Sequence, residues 1–260
     1  MTVFLCENGM EGILCGIFAA YESRLDLTDC RLDLKQEYEL QLFAEYREIP
    51  VDLEKAQRVE KKIRSFMSEE AYFRLYRVSL HKDSERANWI FKFVQLGLCY
   101  GKRVLKMLQE EAVYQIFRMD RYVGNEAHLL REFARFERLE NGVYYGIVGP
   151  ENQVLELVAV HFADRFPDMD WILYDENHRM AALHVSSGQM IMKRGVTDEE
   201  RKWIENQRGE DMFTDMWKVF FHTIAIEERR NPKCQRNMLP PRYRKYMTEF
   251  CDSGVGNPHL

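Results

Sequence analysis

Apolar positions along the chain change period several times, and each change marks an expected element. Thr2–Cys6 is a short continuous apolar run, read as a strand. Glu7-Asn8-Gly9 turns it into a helix from about Glu11, because Ile13, Leu14, Ile17, Phe18 and Tyr21 recur at 3.6-residue spacing. Residues 25–50 lack a clean period apart from one expected strand at 39–43, and Ile49-Pro50 closes the stretch. Asp52 is a suitable N-cap for a helix carrying Ala56, Val59, Ile63 and Phe66, while Ser68 and Ser84 are expected to cap the next two. Gly97 and Gly101 interrupt the third of these, and a further helix covers about 111–131, so 52–132 is read as helical.

After residue 132 the period shortens. Apolar, aromatic runs at 133–139 and 143–148 flank Glu140-Asn141-Gly142, and Asn-Gly in that setting is a strong hairpin signal. An amphipathic helix over 152–166 follows, with Val154, Leu157, Val158, His161, Phe162 and Phe166 on one stripe. Two more strands, 171–174 and 180–185, flank the turn Asp175-Glu176-Asn177-His178. The order strand, strand, helix, strand, strand predicts an α+β unit whose helix crosses an antiparallel sheet. Thr197 to Glu200 fits a capping box, and a longer helix over 213–228 is expected to turn Phe213, Trp217, Phe220, Phe221 and Ile224 inward. The expected architecture is a single α+β body over 1–250, with a helical part at 52–132, a β-rich part at 133–195, and a C-terminal helix and basic segment at 196–250. A frayed tail is expected at 251–260.

Composition narrows the function classes. With 46% hydrophobic and 30% charged residues, a chain of 260 residues supports a full core, which excludes disordered and low-complexity classes. The longest uncharged run, 180–192, is too short to span a bilayer, and the first basic residue is Arg24, so no membrane and a cytoplasmic location are expected. Six cysteines (Cys6, Cys15, Cys30, Cys99, Cys234, Cys251) show no paired spacing, so reduced thiols, no metal and no cofactor are expected. Phosphate-loop, dinucleotide-fold, zinc-protease and serine-hydrolase motifs are missing. The net charge of −5 conceals an uneven distribution: residues 229–260 hold 7 basic and 2 acidic residues, a balance of +5, which leaves −10 for the rest.

That basic end is the first candidate site. Arg229, Arg230, Lys233, Arg236, Arg242, Arg244 and Lys245 suit phosphate oxygens, Asn231, Gln235 and Asn237 suit base edges or sugars, and Tyr243 suits a stacked base. The opposing reading is a face whose arginines pair with the acidic remainder of the chain. Cys234, set among these cations, reads either as a reactive thiol or as a small spacer. A second constellation, Glu126, His128, Arg131 and Arg135, either converges on a phosphate or forms ion pairs with Glu126, Glu132 and Glu137. A third is acid-rich: His161, Asp164, Arg165, Asp168, Asp170, Asp175 and His178. Its weak catalytic candidates are His161, Asp164 and Asp175, set against a core histidine and ordinary loop acids.

Several stretches carry a resemblance. Asn8-Gly9 through Tyr21 with Glu11-Gly12 leading the helix, EAHLLREFARF at 126–136, HFADRF at 161–166, WILYDENHRMAAL at 171–183 and RRNPKCQRNMLPPRY at 229–243 together resemble a bacterial family of probable DNA metabolism or DNA repair proteins. The chain departs from that pattern at Glu132-Phe133, where the family favours Gly-Phe, and at Arg244, where it favours Trp. In that family the gene is paired with a radical-SAM protein, and the domain occurs fused ahead of uracil-DNA glycosylase-like domains. The resemblance implies a DNA-binding accessory protein acting with a radical-SAM iron–sulfur partner. The alternative is a DNA-processing enzyme, by base excision or nuclease chemistry, that uses the acidic cluster at 164–175.

Overall fold

The computed structural model describes residues 1–209, 212–224 and 231–250. Where the sequence reading draws one body over 1–250, the chain divides into two compact units, Met1–Asn125 and Glu126–Leu260. The expected tail at 251–260 lies outside the described residues.

In the first unit β1 (Thr2–Cys6) is the centre of a three-stranded parallel sheet, between β2 (Cys30–Leu34) and β3 (Glu45–Ile49). Helix α1 (Met10–Glu22) follows β1 and packs so closely that a Cβ on Gly12 would lie 2.1 Å from the Glu7 carbonyl oxygen. The strand expected at 39–43 is corrected. Phe43 has φ of 62° and is 98% exposed, which breaks the extended run, and the strand forms two residues later as β3. Four helices complete the unit: α2 (Leu53–Phe66), α3 (Glu69–Ser79), α4 (Arg86–Tyr100) and α5 (Glu111–Phe133), whose residues from Glu126 belong to the second unit. Asp52 and Ser68 cap α2 and α3 as expected, each accepting from backbone N–H groups of the first turn. Ser84 does not cap α4. Asp83 organises that entry instead, its carboxylate accepting from Glu85 N at 2.9 Å and its carbonyl from Arg86 N. Gly97 does not interrupt α4, because a side chain there would meet Met67; the helix ends at Gly101, where φ is 58°.

The second unit holds a five-stranded mixed sheet in the order β4 (Phe136–Arg138), β5 (Tyr144–Val148), β6 (Trp171–Asp175), β7 (Met180–His184), β8 (Met190–Arg194). The Asn-Gly hairpin forms between β4 and β5, with Gly142 at φ of 87°. The expectation of an antiparallel sheet is corrected at its centre, where β5 and β6 are parallel and α6 (Leu155–Arg165) makes the crossover between them. A helix between two strands returns the chain to the same end of the sheet, so only a parallel pair can form there. Past the sheet, α7 (Asp198–Glu205) opens with the expected Thr197 capping box, and α8 (Met212–Thr223) follows. The inward face expected for α8 is not observed: Trp217, Phe220 and Ile224 are exposed, and Phe221 packs its ring 5.5 Å from Phe250. Two short helices, α9 (Pro232–Met238) and α10 (Pro241–Arg244), each start with proline at the first turn, where its missing N–H costs nothing. No described helix is long and apolar enough to cross a membrane.

Candidate nucleic-acid interface

The basic C-terminal segment divides into an exposed part and a part that pins the chain to its own unit. Arg229 and Arg230 lie outside the described residues. Asn231 caps α9, its carboxamide oxygen accepting from Cys234 N at 3.0 Å, and Lys233, Gln235, Arg236 and Asn237 are exposed on that helix. Beyond Pro240 the side chains of Arg242, Tyr243 and Tyr246 pack against the unit, while Lys245 stays exposed. Arg242 pairs with Glu151 at 2.5 Å, lies 3.6 Å from Glu126, and donates to the Tyr243 hydroxyl at 2.9 Å. Tyr243 is only 1% exposed, its ring 5.9 Å from that of Phe133, so the base-stacking role expected for it is corrected. Lys245 and the Tyr246 hydroxyl both bond Glu176, and Arg244 lies over the Phe250 ring at 5.3 Å. Burial pushes the Glu176 carboxyl up, but its bonds to Lys245 and Tyr246 prevail and hold it below the usual range. Burial first, and then Glu176, push the Tyr246 hydroxyl up to about 12.

Arg242 and Lys245 meet a polar cluster at the carboxyl ends of β5 and β6. Glu126, 2% exposed on α5, accepts from the backbone N–H groups of Glu151 and Asn152 at 2.9 Å each and from the Asn152 carboxamide at 2.5 Å. Asp175, fully buried at the end of β6, accepts from the backbones of Asn177 and His178, and its second oxygen lies 2.7 Å from His178 Nδ1. Burial disfavours a charged imidazole at His178. The hydrogen bond and charge of Asp175 outweigh it, with help from Glu126 and the Glu151 backbone, so the His178 pKa is raised. Held at Nδ1 by the buried Asp175 carboxylate, the imidazole acts as a strut.

The acid-rich constellation is not assembled. Asp164 and Asp168 are exposed, and Asp170 accepts from Ser186 N at 2.7 Å at the opposite end of β6 from Asp175. At roughly 3.3 Å per residue, Asp170 and Asp175 stand about 16 Å apart along the strand, too far to share a metal ion or a water. Among the described residues no cluster of three or more His, Cys, Asp or Glu side chains is placed to hold a metal.

Arginines and aromatic rings do converge, on a cleft between the end of α5, the β4–β5 hairpin and α6. Arg131, Arg135, His161 and Arg165 line an inner chamber of about 450 Å³ whose other walls include Tyr144 and Trp171. Arg135, Tyr144 and Arg165 also line a wider cleft of about 870 Å³, which adds Arg138 and Trp217. The walls are held in a packed aromatic set: the Phe162 and Phe166 rings are parallel at 6.0 Å, and Phe136 meets Phe162 edge-on at 5.0 Å and Trp171 at 6.1 Å. His184 stacks on Trp171 at 5.1 Å, its own ring fixed by a contact of Nδ1 with the Met169 carbonyl at 2.9 Å. Arg135 is braced by the buried Glu249 carboxylate at 2.8 Å. Burial raises the Glu249 pKa, and the Arg135 bond reverses that and leaves it lowered. Arg131 reaches the Leu157 carbonyl at 3.0 Å, and Arg165 has no ion pair among the described residues.

Of the second constellation, then, Arg131 and Arg135 reach the cleft, whereas the exposed His128 pairs with Glu132 at 3.2 Å. Sequence reasoning missed Arg138, Tyr144, Phe166 and Trp217 as a group. The available signal was the density of rings between 133 and 171, which exceeds what one face of a small sheet needs. No curated protein matches this chain. The model of a family described as a domain of unknown function, DUF4130, matches residues 84–249, a span that covers more than half of the chain and every residue of the cleft, and the chain belongs to that family.

Proposed function

We propose that this protein is a DNA-binding accessory factor in DNA repair or modification, holding DNA at the arginine–aromatic cleft while a radical-SAM iron–sulfur partner carries out the reaction. One observation carries the DNA half of this reading: Arg131, Arg135, Arg138 and Arg165 edge a cleft walled by aromatic rings, with Glu132 as its one acidic lining residue among the described residues. Guanidinium groups pair with phosphate oxygens in a forked geometry, and aromatic faces stack on bases of any sequence. The exposed Lys233 and Arg236 on α9 supply further phosphate partners. The partner half rests on the motif resemblance. The dispersed acids favour an accessory role over base excision or nuclease chemistry by this chain.

The test is a salt titration with labelled single-stranded DNA, alongside affinity capture from the native cell. With about four phosphates neutralised, log affinity falls with log salt at a slope of about −3. An Arg131→Ala, Arg165→Ala variant makes that slope shallower by about 1.4. A slope near zero, or no binding in low salt, refutes the DNA reading; capture that brings down no iron–sulfur protein refutes the partner reading.

A further inference from the structure

The inner chamber has a shape and chemistry that the wider cleft lacks. Its volume of about 450 Å³ falls within the range of small-molecule pockets, roughly 300–1,000 Å³, and is too small to take in a duplex. Its walls are mostly rings already locked by one another, so a planar guest gains stacking contact without ordering them first. Trp171 backs the chamber from within the packed set, with His184 stacked on its ring, so the half-exposed Phe166 and Tyr144 are the rings a guest can meet. Arg131 and Arg165 stand at the same chamber, placed for the phosphates that flank an inserted base.

We infer that the chamber receives one unpaired nucleobase, from single-stranded DNA or from a base turned out of a duplex, stacked against Phe166 and Tyr144 with its phosphates on Arg131 and Arg165. The inference rests on the proposed DNA binding and adds the form of DNA that is read. A base inside a duplex has both faces covered and its pairing edge occupied, so it must leave the stack to enter such a pocket. The protein therefore selects strands that are already open, or lesions whose bases are easily extruded.

The test compares labelled oligothymidylate of about 12 nucleotides with a strand of equal length built from abasic units, which has the same phosphates and no bases. The full-length protein binds the oligothymidylate about 5- to 100-fold more tightly, and a blunt duplex of equal length more weakly than the single strand. Phe166→Ala and, separately, Tyr144→Ala shrink the preference for bases while leaving the salt slope unchanged; an unchanged thermal midpoint certifies each variant as folded. The preference in the unaltered protein needs no variant for its reading. Equal affinity for thymidylate and abasic strands overturns the chamber while leaving phosphate binding standing. Loss of binding to both strands removes the DNA reading itself, and the inference with it.

Discussion

Replacing Glu126 by Ala is expected to unfold the second unit at a much lower denaturant concentration. The Glu126 carboxylate accepts from the Glu151 and Asn152 backbone N–H groups and also takes the Asn152 carboxamide, in a largely buried setting. Leaving buried donors unsatisfied costs about 1–3 kcal/mol each. Arg242, 3.6 Å away and partly exposed, keeps Glu151 and adds little, so the three donors to Glu126 set the cost of Glu126→Ala at about 3–5 kcal/mol. Unfolding in urea, followed by tryptophan emission, reports mainly on this unit, because Trp171, Trp203 and Trp217 lie in it and only Trp89 lies in the other. With a slope of about 1–3 kcal/mol per molar urea, the midpoint falls by more than about 1 M. A midpoint within about 0.3 M of the parent would show that the loop amides have other partners, and that Glu126 does not anchor the carboxyl ends of β5 and β6.

Three further outcomes follow from the same geometry. The His178 pKa is raised in the folded state, so its stabilising effect is complete below the ordinary histidine value of about 6.5 and is lost as pH rises through the folded value. The difference in unfolding midpoint between the parent and His178→Gln therefore narrows from pH 6 to pH 9, and a difference that grows across that range contradicts the strut. Glu249 has a lowered pKa, so its bond to Arg135 stabilises above the ordinary carboxylate range and fails as pH falls through the folded value; Glu249→Gln should flatten the acid limb of stability against pH. Gly12→Ala forces a methyl group into the Glu7 carbonyl, which is backbone and cannot rotate away, and should destabilise the first unit by about 1–3 kcal/mol or more in thermal unfolding; an unchanged midpoint would show that α1 can shift outward.

What was legible in the sequence was what neighbouring residues decide. Asn141-Gly142 specified a hairpin, Thr197 with Glu200 a helix start, and Asp52 and Ser68 two more, because each device acts within four residues. Pairing between distant segments was not legible. The strand Glu45–Ile49 gains its place from β1, some forty residues earlier, and the weakly apolar edge strand Met190–Arg194 gains its place from β7. The same limit governs the site. A run of cations reads alike whether it faces solvent or acids, and only the fold brings Arg242 to Glu126 and Glu151 and Lys245 to Glu176. Arg131 and Arg135 were found because they share one short stretch. Tyr144, Arg165 and Trp217 joined them through the β5–α6–β6 crossover and the return of α8, which local spacing does not encode.

The arginine–aromatic cleft, rather than the segment from Arg242 to Lys245, is the surface proposed to contact DNA. Ultraviolet crosslinking of the protein to single-stranded DNA carrying photoreactive bases, followed by peptide mapping, tests it most directly. Crosslinks are expected at Tyr144 or Phe166, with none at the buried Tyr243. Crosslinks confined to Tyr243 and its neighbours, with the cleft peptides unmodified, would contradict it.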